Sequence, residues 1–244
     1  MKLSEYPILD YRNIEINTCD ILLCSGCGDL SKSIQCFQGL AGFQEPAKQI
    51  SHIASVIKMD SFQLSTLRSL ITERHGGREY IFNDPNGLYV FESTTYNKWC
   101  DKKGVQINPM QEFIKGYGGM VFVRKLTWDI NITKVIDFVS AHIDDNYENG
   151  ISGFFELLFC GLMWSRYIKA KFPNWKPAAS KNPHCSEIDA MLLKACGLLK
   201  DIAVENRMPP AVWADRLQVQ KLHLEAATLD ENILCPITGL IRIK

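Results

Sequence analysis

The chain has 244 residues, 46% hydrophobic and 22% charged, and its 27 basic side chains are balanced by 27 acidic ones. That is the profile of a globular protein with a substantial core, read as one domain with elaborations, or one domain plus a small helical lobe, rather than two independent domains. The lack of a basic excess argues against a nucleic-acid binder. No apolar run reaches the about 18 residues of a membrane-spanning helix.

In chain order, Met1 to Pro7 lacks the apolar run of a secretion signal. Residues 14–24, with Ile14, Ile16, Ile21, Leu22 and Leu23, predict a short extended segment feeding a loop rich in Gly and Ser. Ile50 to Lys58 is β-branched and predicts a strand. Ser61 to Arg74 reads as a helix or a mobile excursion, ended by Gly76-Gly77. Tyr80-Ile81-Phe82 and Leu88 to Ser93 predict two further strands around the turn Asn83 to Gly87. Val105 to Ile107 is short and extended, Pro109 to Tyr117 a brief helix, and Met120 to Leu126 another strand.

From Thr133 the period changes, and Val135, Phe138, Val139 and Ile143 share one helical face. Residues 151–170 predict a second helix. Its apolar part, Phe154 to Trp164, carries Glu156 and reads as buried rather than membrane-docked. A loop with Pro173 and Pro177 follows, then an amphipathic helix starting near Pro183 with Ile188, Met191, Leu192, Ala195 and Leu198 on its apolar face. Strands first and helices later predict an α+β fold with an antiparallel sheet.

Nine cysteines without a secretion signal argue for reduced thiols in a cytoplasmic compartment. Most are expected to be small buried hydrophobes. Cys185 differs. In Asn182-Pro183-His184-Cys185-Ser186-Glu187, Asn suits an N-cap, Pro the first helical position and Glu the first turn. Cys185 then lies in the opening turn, where unpaired N–H groups and the helix dipole favour a thiolate and can receive charge on a carbonyl oxygen. A capped, partly buried thiol is the plainer alternative.

A thiolate nucleophile needs a base. His52 interrupts an apolar strand, where an imidazole is costly unless satisfied. Glu92 interrupts a second one, Tyr89 to Thr94. If the two strands are neighbours, Glu92 can accept from one ring nitrogen of His52 while the other faces Cys185. The alternatives are a structural core histidine and a solvent-facing glutamate on an edge strand. His184 is the rival base, but in a helix adjacent side chains point about 100° apart.

Five landmarks occur in a familiar order: Asp20-Ile21-Leu22-Leu23, Ser51-His52-Ile53-Ala54, Val90-Phe91-Glu92-Ser93, Asp145-Asn146-Tyr147-Glu148, and His184-Cys185-Ser186-Glu187-Ile188. With Gly104 to Pro109 and Val121 to Leu126 between them, they resemble the circularly permuted NlpC-type papain-like cysteine hydrolases of the YiiX/YebB group, over roughly residues 15–215. The resemblance implies a papain-like α+β fold, an antiparallel sheet packed on a helix that carries the nucleophile. It makes Cys185 the nucleophile, His52 the base and Glu92 the third polar residue, with Ser51, Ser186 and Tyr147 as substrate-binding candidates and no cofactor or metal.

It further implies a domain over 1–215, a helical insertion at about 127–180 and a C-terminal extension at 216–244. The expected activity is cleavage of an amide (peptide or isopeptide) or ester bond through a thioacyl enzyme. A lipid-directed acyl hydrolase or acyltransferase and a catalytically idle binding or virion-associated protein are the alternatives, since relatives occur in bacteria, phages and large viruses. The chain departs from the pattern at Cys19, at His184 where an aromatic is usual, and at Asp189 where a small apolar residue is common.

Other motifs offer weaker chemistry. Cys24-Ser25-Gly26-Cys27, with Cys19 and Cys36, supplies four thiols for zinc, but only one C-x-x-C knuckle is present. Gly26-x-Gly28 is too short for a phosphate loop, and Asp144, Asp145 and Glu148 lack EF-hand spacing.

Overall fold

Strand β1 (Ile21–Ser25) is buried at all five positions, as a strand must be when it has neighbours on both edges and cover on both faces. In the computed structural model of the protein, which describes residues 2–40, 42–76, 82–94, 104–125, 130–145, 184–198, 210–214 and 240–244, β1 lies inside a six-stranded sheet. The remaining strands are β2 (His52–Lys58), β3 (Leu88–Thr94), β4 (Gly104–Pro109), β5 (Met120–Arg124) and β6 (Ile241–Arg242). The order is β4-β3-β2-β1-β5-β6, and every neighbouring pair is antiparallel. The helices are α1 (Asp29–Leu40), α2 (Ser61–His75), α3 (Met110–Gly116), α4 (Ile132–His142), α5 (Cys185–Ala195) and α6 (Pro210–Ala214). The architecture is α+β.

Alternation along the strands fixes the register. Ile21, Leu23, Ile53, Ile57, Phe91 and Phe122 share a core with residues of α2, α4 and α5. Leu22, Cys24, Ala54, Val56, Val90 and Val123 form a second core with Met110 and Phe113 of α3 and with Ile16. A slip of one residue would exchange the two sets, so burial on both faces specifies the pairing strongly.

Local chemistry sets the helix ends. At α2, Asp60 Oδ1 accepts the N–H of Gln63 at 2.8 Å and Gln63 Oε1 accepts the N–H of Asp60 at 2.9 Å, a reciprocal cap. Gly76, at φ 73°, closes the helix in the left-handed conformation. Residues 61–75 are therefore a helix.

Three expectations are corrected. Helix α1 replaces the expected Gly/Ser-rich loop. It buries only Ile34 and Gln38, so its apolar stripe is thin; Gln38 ties it down by donating to the carbonyls of Lys48 and Ile50 and accepting the N–H of Ala211. Phe82 is not in a strand, and Tyr80 and Ile81 lie outside the described residues. Helix α5 starts at Cys185 with His184, not Asn182, in the N-cap position, because the His184 carbonyl takes the N–H groups of Glu187 and Ile188. Asn182, Pro183, the expected helix at 151–170 and most of the expected insertion and C-terminal extension lie outside the described residues.

Strand β6 adds the edge next to β5, and Arg242 reaches from it to the carbonyl of Ser4. Among the described residues no helix is long and apolar enough to cross a membrane.

Candidate active site

Strands β2 and β3 are neighbours, but their ladder stops at the pair Ser55 and Phe91, while β3 stays paired with β4 as far as Thr94. His52 and Glu92 lie beyond that last rung. His52 Nε2 is 2.7 Å from Glu92 Oε2. The other carboxylate oxygen, Oε1, accepts from Gln106 Nε2 at 3.2 Å and Asn108 Nδ2 at 3.3 Å, both on β4. Glu92 is 5% exposed, so this buried carboxylate is held on both oxygens. Its orientation is fixed by two amides, and the orientation of the imidazole is fixed in turn.

Cys185 opens α5 and is 4% exposed. The His52 ring and the backbone N–H of Ile53 lie close to its sulfur, and both favour the anion. Because Nε2 of His52 is engaged by Glu92, Nδ1 is the nitrogen left for the sulfur. Burial alone would strip the proton from His52. The negative sulfur of Cys185, followed by Glu92, outweighs burial and pushes the ring from 6.5 up to about 10. Burial likewise opposes the Cys185 anion, but the His52 cation wins, helped by His184 and the Ile53 N–H, and the thiol falls below its ordinary value. The two shifts run in the direction of a thiolate–imidazolium pair, with Nε2 of the ring held by Glu92.

A second ring steadies the first. Tyr117 lies almost parallel to His52, with centroids 6.4 Å apart and planes at 20°, and it stacks on Phe113 of α3 at 5.5 Å. Burial holds its phenol protonated, with the Ser51 hydroxyl close by. Ser51 Oγ also accepts the N–H of Gly26 at 3.1 Å. Two features fix this loop. At Gly119 a Cβ would lie 2.1 Å from the Ser25 carbonyl oxygen, so only glycine fits. At the end of α3, Lys244 Nζ donates to the carbonyls of Ile114, Lys115 and Tyr117 at 2.7, 3.2 and 2.6 Å.

The structure therefore brings Cys185, His52 and Glu92 together, with the buried Ser51 hydroxyl accepting from Gly26. The Ser186 hydroxyl is fully buried and has no hydrogen-bond partner among the described residues. Tyr147 lies outside the described residues. His184 Nδ1 is 3.1 Å from Glu187 Oε2 on α5. The thiols considered for zinc are dispersed: Cys24 is buried in β1, Cys27 donates to the Gly118 carbonyl, and Cys36 is exposed on α1. Among the described residues no group of three or more His, Cys, Asp or Glu converges on a metal position.

Reading the sequence alone missed Gln106, Asn108 and Tyr117 as parts of the site. Gln106 and Asn108 carried a usable signal, being two amides at a two-residue spacing that alternate with Val105 and Ile107. Tyr117 carried none, because its place depends on Gly119 and Lys244. No protein-family model matches the chain, and no curated protein matches it.

Proposed function

We propose that the protein is a papain-like cysteine hydrolase of the circularly permuted NlpC type, cleaving an amide (peptide or isopeptide) or ester bond through a thioester intermediate. The observation that carries this reading is His52, clasped by Glu92 on one nitrogen and facing Cys185 with the other, at the start of α5. A structural core histidine needs one satisfied nitrogen and no sulfur anion beside it. The order of the landmarks along the chain, histidine before cysteine, supports the permuted form.

In the proposed mechanism the Cys185 sulfur attacks the carbonyl carbon, and the carbonyl π pair moves to oxygen. The N–H groups of Cys185 and Ser186, which open α5 with no helical carbonyl behind them, receive that oxyanion. Collapse breaks the bond to the leaving nitrogen or oxygen, which takes the proton from His52. Neutral His52 then removes a proton from water, the hydroxide displaces the thioester sulfur, and the carboxylic acid leaves with the thiolate–imidazolium pair restored. Glu92 holds the ring through both steps and stabilises its cationic form.

Cys185→Ala is expected to abolish turnover of peptidyl-aminocoumarin amides and nitrophenyl esters while leaving the far-ultraviolet circular dichroism unchanged. Full activity in that variant would end the proposal. The pH dependence gives a second check. The sulfur anion forms as pH rises through the lowered Cys185 value, and the proton for the leaving group is lost as pH rises past about 10 at His52. Turnover should therefore rise and then fall. Alkylation of Cys185 by iodoacetamide needs only the anion and should show the rise without the fall.

A further inference from the structure

Asp189 lies one helical turn beyond Cys185 on α5, and none of its surface reaches solvent. Ser55 Oγ of β2 bonds to its Oδ1, while Oδ2 is buried with no hydrogen-bond partner. Packing does not explain a carboxyl here. Ile188, Leu192 and Leu193 already supply the apolar contacts of α5, and an unsatisfied buried oxygen opposes folding. Helix propensity does not explain it either, since aspartate is a poor helix former away from the first turn.

The position is informative. The Ser55–Asp189 bond joins α5 to β2 at the last rung of the β2–β3 ladder, immediately before the strands part. Beyond that rung lie Ile53 and His52, whose N–H and ring both favour the Cys185 anion. One side-chain bond thus ties the helix that carries the nucleophile to the strand that carries its base.

We propose that Asp189 is a positioning residue: through Ser55 it fixes the depth and rotation of α5 on β2, keeping the Cys185 sulfur against His52 Nδ1 and the Ile53 N–H. This inference rests on Cys185 being the nucleophile.

Burial drives the carboxyl toward its neutral form. The groups that face it are Cys185 on its own helix, His52 on β2, Glu92 on β3, Cys24 in β1 and Cys19 just before it, and burial pushes its pKa well above the carboxylate range. A second fixed anion beside Glu92 would oppose the sulfur anion. A neutral acid holds Ser55 without doing so.

The test is the pH dependence of iodoacetamide alkylation at Cys185, followed in the full chain by peptide mass mapping. Asp189→Leu removes the bond at similar volume, and Ser55→Ala removes it from the other side. Both should stay folded by circular dichroism, move the alkylation midpoint upward by about one pH unit, and slow labelling roughly tenfold on the acid limb. Asp189→Asn retains a partner for Ser55 and should restore the wild-type midpoint. If Asp189→Leu fails to fold, Ser55→Ala decides. An unmoved midpoint in folded Asp189→Leu or Ser55→Ala, or an Asn variant shifted as far as the Leu variant, overturns the positioning role alone. If wild-type Cys185 is not labelled selectively, the catalytic reading falls and this role falls with it.

Discussion

Helices α2 and α5 contribute to the same core, yet they are built to different rules. Helix α2 has a reciprocal side-chain cap at its start and a glycine at its end, and it buries only Leu67 and Ile71. Helix α5 has no side-chain cap at its start and buries eight of its eleven residues, among them Ser186, Glu187 and Asp189. An unsatisfied buried polar group costs about 1–3 kcal/mol. A helix selected for stability alone would not collect such groups in its first two turns. Local rules are satisfied in α2 and broken in α5, where the proposed nucleophile sits.

His52→Ala attacks this contrast with the largest expected effect. It should lower turnover roughly 10²–10⁴-fold and return Cys185 to the slow labelling of a buried thiol at neutral pH. Persistent rapid labelling would mean that the helix start alone makes the anion. Glu92→Gln comes next. It keeps a hydrogen bond to His52 but removes the charge, so the alkaline fall in turnover should move down by about 1–3 pH units; an unmoved limb would show that Glu92 only orients the ring. The smallest effect is expected from Asp60→Ala on α2. Denaturant titration should show a loss of about 1 kcal/mol with turnover unchanged. A loss of turnover there would blur the division between the two helices.

The sequence made the elements legible where one physical signal dominated. β-Branched runs marked β2 and β3, and apolar residues at helical spacing marked α4 and α5. His52 and Glu92 stood out because each put a polar group inside such a run. What no local pattern contained was the register of β2 on β3, or the point where the two strands separate. Those depend on α5 arriving from more than 90 residues further along the chain. Helix α1 was illegible for a different reason: its anchor is the polar side chain of Gln38, which binds carbonyls 10 and 12 residues away and so leaves no apolar period to read. Asp189 was visible only as an odd residue at an apolar position, and its partner Ser55 gave no sign of the pairing.

The Lys244 clasp on α3 carries a practical lesson about assembly. The Tyr117 ring beside His52 is secured by a side chain 127 residues further along the chain, so this side of the site stays unanchored until segment 240–244 docks beside β5. A chain cut before that segment would keep Cys185, His52 and Glu92 and still lack the Lys244 anchor, so a loss of turnover in it would not report on those three residues alone.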